Sequence, residues 1–82
     1  MKIANILNQE GISKLPLVEI AGQNRVLIEN HLGVIGYSLE EIQIKVSYGK
    51  LTVSGAQLRF MQISREQLVI TGKIDTVALR GR

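Results

Sequence analysis

The run Glu29-Asn30-His31 is the most polar compact cluster in the chain, and its residue types could do chemistry. Residues 29 and 31 share a strand face, because strand side chains repeat with a period of two. A hydrolytic reading makes His31 a general base and Glu29 the group that orients it. Such a site needs a nucleophile, and none stands nearby in sequence. One His and one Glu fall short of a metal site without ligands from elsewhere. The plainer reading is a turn, closed by Gly33, whose side chains bond local backbone groups. A third is an interaction surface. Glu29, Asn30, His31 and Gly33 are therefore candidate turn or interaction residues. No catalytic, cofactor-binding or metal-ligating set is assigned.

The other candidates are weaker. Glu40 and Glu41 are adjacent, and neighbouring side chains diverge, which suits solvated corner charges better than a paired acid and base. Tyr37-Ser38 has no evident base. LVEIAG (17–22), KLTVSG (50–55) and QLVITG (67–72) each end a short alternating run in Gly. None of these glycines opens a helix as a phosphate loop requires. A positive φ at a turn or bulge is the expected role of Gly22, Gly55 and Gly72.

The element that organises the chain is IQIKVSYGKLTVSG, residues 42–55. Ile42, Ile44, Val46 and Tyr48 alternate with polar residues, and Leu51 and Val53 resume the alternation, which predicts a β-hairpin. Further short strands are expected at Leu17–Ala21, Arg25–Asn30, Val34–Ser38, Gln57–Ile63, Gln67–Thr71 and Ile74–Leu79. Leu68, Ile70 and Ile74 share one parity and Val77 and Leu79 the other, so a bulge is expected between Gly72 and Thr76. Ile3, Ile6 and Leu7 before Gly11 predict a short N-terminal helix. The expected fold is all-β: a small antiparallel β-sandwich or rolled sheet of about eight short strands. Residues 1–14 are the helix and linker, and 15–82 a single β domain.

Composition narrows the function. With no Cys, disulfides, thiolate metal sites and cysteine nucleophiles are excluded. No apolar run reaches the roughly 18–20 residues that span a bilayer, and the first residues lack a signal-peptide pattern. A cytoplasmic chain is expected. The net charge of +3 comes from scattered Lys and Arg, not from a basic block. Three aromatic rings, two of them in core-like phase, argue against a base-stacking surface for nucleic acid.

Residues 15–79 resemble the YabP/YqfC family of small sporulation proteins, and more closely its YqfC branch. The resemblance rests on Leu15-Pro16, Gly22, IENHLGVIGYS (28–38), the hairpin 42–55, QLRFMQI (57–63) and LVITGKIDTVAL (68–79). The IENH-x-G run is its most specific part. It implies an all-β domain of endospore-forming bacteria, without known enzymatic activity, associated with sporulation and spore-envelope assembly. It supplies no catalytic residues, cofactor or small-molecule substrate. The expectation is a non-enzymatic structural or adaptor protein of the mother-cell cytoplasm, acting by protein–protein contacts or self-association through an edge strand. Ile74–Leu79 and the N-terminal helix are the expected contact elements. The alternative is a β domain that binds an anionic membrane surface.

Overall fold

The computed structural model describes residues 15–47 and 49–81. The expected helix at 1–10 and the Tyr48 ring lie outside those residues. Six strands follow one another: β1 (Leu17–Ala21), β2 (Arg25–Glu29), β3 (Gly33–Tyr37), β4 (Glu41–Val46), β5 (Gly49–Ile63) and β6 (Gln67–Gly81). They form one antiparallel sheet in the order β1-β2-β6-β5-β4-β3.

All-β and antiparallel hold; eight strands and a two-sheet sandwich do not. The second half of the expected hairpin and Gln57–Ile63 are one 15-residue strand, β5. Gln67–Thr71 and Ile74–Leu79 are likewise one strand, β6. Bulges carry the chain through what look like breaks. The β5–β6 ladder shifts register three times. Asp75 is extra on β6 between the Ser54 and Gly55 pairs, within the span where parity demanded a bulge. Gln57 and Leu58 together oppose Gly72, and Met61 is extra on β5. Each insertion flips the inward parity. Leu51 and Val53 point inward before the bend, and Leu58 after it.

The core shows that this sheet curls over itself. Val26 and Ile28 of β2 cluster with Ile42, Ile44 and Val46 of β4, and with Leu51, Val53, Leu58, Leu68 and Ile70. Strands β2 and β4 are separated by two strands, about 14 Å across a flat sheet, so their inward faces meet only if the sheet bends. The Tyr37 ring on β3 touches that of Phe60 on β5, with centroids 5.5 Å apart, although the two strands do not pair.

Each bend is held by a turn from the opposite edge. Ser38 Oγ accepts the Glu40 and Glu41 amides, which makes a serine-stapled corner. The Glu40 and Leu39 carbonyls of that corner accept the Gly55 and Leu58 amides at the bend of β5. The Asn24 and Gln23 carbonyls of the β1–β2 turn accept the Gly72 and Ile74 amides at the bend of β6. The glycines serve in two ways. Gly22 (φ 59°) and Gly72 (φ 134°) take the expected positive φ. Gly55 does not. A Cβ there would lie 1.8 Å from the Lys73 carbonyl oxygen, so close strand approach is what requires it.

Candidate functional site

Glu29 ends β2, and the chain leaves the strand through Asn30 at φ 63°. Asn tolerates this left-handed conformation because its short amide can bond locally. The Asn30 amide donates to the Glu66 carbonyl at 2.9 Å, and its side-chain Nδ2 donates to the Leu15 carbonyl at 3.0 Å. Gly33 restores the strand direction at φ 128°. Its amide donates to His31 Nδ1 at 3.0 Å, so that nitrogen is the acceptor and Nε2 carries the ring proton. Nε2 then donates to the Ser64 carbonyl at 2.9 Å. Glu29 accepts from Gln67 Nε2 at 3.3 Å, and Gln67 Oε1 accepts from Gln62 Nε2 at 3.0 Å.

The structure therefore brings all four predicted residues together. It ties Asn30 and His31 to backbone carbonyls of the β5–β6 connection and of the segment entering β1, Glu29 to the Gln67 side chain, and the Gly33 amide to the His31 ring. With Nδ1 accepting and Nε2 donating, His31 has no ring lone pair left for a substrate proton or a metal. No group of three or more His, Cys, Asp or Glu gathers into a metal-binding set among the described residues. We expect Asn30→Ala to cost about 1–2 kcal/mol, since it loses the bond to Leu15 and the side-chain amide that makes the left-handed conformation tolerable, while keeping the Cβ. Asn30→Gly should cost less, because glycine restores the backbone freedom. Urea unfolding of the two variants reads the order.

Two further features are absent from the sequence reading. The first is the edge strand β3. Leu32, Val34, Ile35, Tyr37 and Leu39 are between 40% and 59% exposed along it, and no charged residue lies between positions 32 and 39. Sheet edges are normally blunted by charge or proline. The other short edge, β1, follows that practice with Pro16 at its entry and Glu19 within it. The absence of charge over 32–39 was a signal open to sequence reasoning. The expected contact strand Ile74–Leu79 is also partly an edge: β2 pairs with β6 only through Thr71, and β5 alone continues beside it. The second feature is a row of cations, Lys45, Lys50 and Arg80, in direct register on β4, β5 and β6.

Fold and site together define a small β domain with a structural turn, an uncharged apolar edge and a basic end. A sequence model of the YabP family matches residues 14–82. The chain is also 30% identical over 63 residues to the uncharacterized protein YqfC of Bacillus subtilis (strain 168), covering 77% of this chain and 68% of that one. The chain belongs to the YabP/YqfC family. No solved structure matches it.

Proposed function

We propose that this is a non-enzymatic structural or adaptor protein of sporulation, acting in the mother-cell cytoplasm through protein–protein contacts made by β3. The observation that carries the reading is the run of exposed apolar side chains on an edge free of charge. An edge strand presents unpaired backbone N–H and C=O groups, and a strand from another chain satisfies them. A second copy is the simplest occupant. Two β3 strands related by a two-fold axis pair antiparallel and bury the same apolar side chains from both sides. Family membership supports the sporulation setting.

Amide hydrogen exchange tests this at the residue level. Amides of β3 should exchange more slowly in concentrated protein than in dilute protein, with β1 unchanged. Slowing at β1 or elsewhere, with β3 unaffected, would contradict the assignment.

A further inference from the structure

The basic end of the curled sheet carries a second surface. Lys45 pairs with Lys50, and Lys50 with Arg80, so all three side chains rise from the same face of β4, β5 and β6. Directly paired residues have their Cβ atoms about 4.5–5.5 Å apart, and like charges so placed repel. No carboxylate pairs with any of the three among the described residues. The nearest acid on β4 of the same parity is Glu41, four residues away and about 13 Å along the strand. That exceeds the Debye length of about 8 Å at physiological salt. The three cations, with Ile35, Ser47 and two glycines, line a shallow depression of about 430 Å³. Ile35 is 54% exposed there.

A row of like charges with no carboxylate partner among the described residues raises the free energy of the isolated protein, and an anionic partner relieves it. We propose that this face docks on an anionic phospholipid surface, with Lys45, Lys50 and Arg80 meeting the headgroup phosphates and Ile35 lying at the apolar margin. One observation favours lipid over nucleic acid. The cations adjoin the exposed apolar edge of β3, which a bilayer interface accommodates and a phosphate backbone does not.

Vesicle co-sedimentation of the full chain tests the proposal. Phosphatidylcholine vesicles with and without 30 mol % phosphatidylglycerol, by way of example about one lipid in three, would be used at low and physiological salt. Binding should require the anionic lipid and weaken with salt. The triple variant K45Q/K50Q/R80Q should partition on the order of 100-fold less, at about fivefold for each basic residue. K45R/K50R should bind as the parent does. The neutral triple variant should melt no lower than the parent, since it removes repulsion, which separates lost binding from lost folding. Absence of binding to the anionic vesicles, salt-insensitive binding, or undiminished binding by a folded triple variant would each overturn the proposal. Tighter binding to single-stranded DNA than to vesicles, lost in the triple variant, would overturn the lipid assignment.

Discussion

Gly55→Ala should destabilise the chain by on the order of 3 kcal/mol, at the upper end for overpacking, whereas Gly36→Ala should be neutral or stabilising by about 0.4–1 kcal/mol. Both glycines lie in strands, so propensity alone predicts similar effects. Their surroundings differ. A Cβ on Gly55 would meet the Lys73 carbonyl oxygen at 1.8 Å and its carbon at 2.9 Å, both backbone atoms of the paired strand. Neither can rotate away. Relief requires β5 and β6 to separate at the bend, where the Gly55 amide also holds the Glu40 carbonyl. A Cβ on Gly36 would meet nothing within 4 Å. At about 4–8 °C per kcal/mol for a domain of this size, Gly55→Ala should lower the melting temperature by roughly 12–24 °C. Circular dichroism melts of both variants read the contrast. Equal melting temperatures would mean that the strands do not approach so closely.

Ile35→Lys should weaken self-association at least tenfold while leaving the fold's stability within about 0.5 kcal/mol. Ile35 is the residue skipped when the β3–β4 register shifts between Val34 and Gly36, and it is 54% exposed. A lysine there costs little in the monomer. Between two copies the lysines would face each other across an otherwise uncharged seam, and desolvating them is unfavourable. Ile20→Lys on β1 is the matched control, because Ile20 has the same 54% exposure. It should leave association unchanged, since Glu19 and Pro16 already guard that edge. Ile35 lines both the β3 edge and the basic depression; Ile35→Lys keeps the three cations, so loss of self-association with retained vesicle binding would show that the cations hold the lipid surface without the apolar edge.

Much of the fold was legible in alternation alone. The span Leu17–Ala21 matches β1, and the hairpin beginning at Ile42 matches β4 and the first part of β5; in β4 and β5 one face is buried and the other is not, whereas in β1 only Val18 is partly buried. The continuity of β5 and β6 was hidden. A bulge resets the inward parity, and on paper a parity change beside a glycine looks the same as a strand end. Gly55, Gly72 and the Gln57-Leu58 insertion therefore split two long strands into four short ones. The turn at Glu29–Gly33 was readable from its Asn and Gly. Its partners were not, since the Leu15, Ser64 and Glu66 carbonyls come from other parts of the chain. The cation row was hidden for the same reason. Lys45, Lys50 and Arg80 look scattered, and only the register of three strands, fixed after the bulges, makes them neighbours.

The central claim is that β3 is a contact edge for a second copy. Size exclusion coupled to light scattering tests it most directly, run on the parent chain across a concentration series at two salt levels, with Ile35→Lys alongside. The account predicts a defined, salt-insensitive oligomer for the parent and a monomer for Ile35→Lys. A parent that stays monomeric throughout the series, or an oligomer that Ile35→Lys leaves intact, would contradict it.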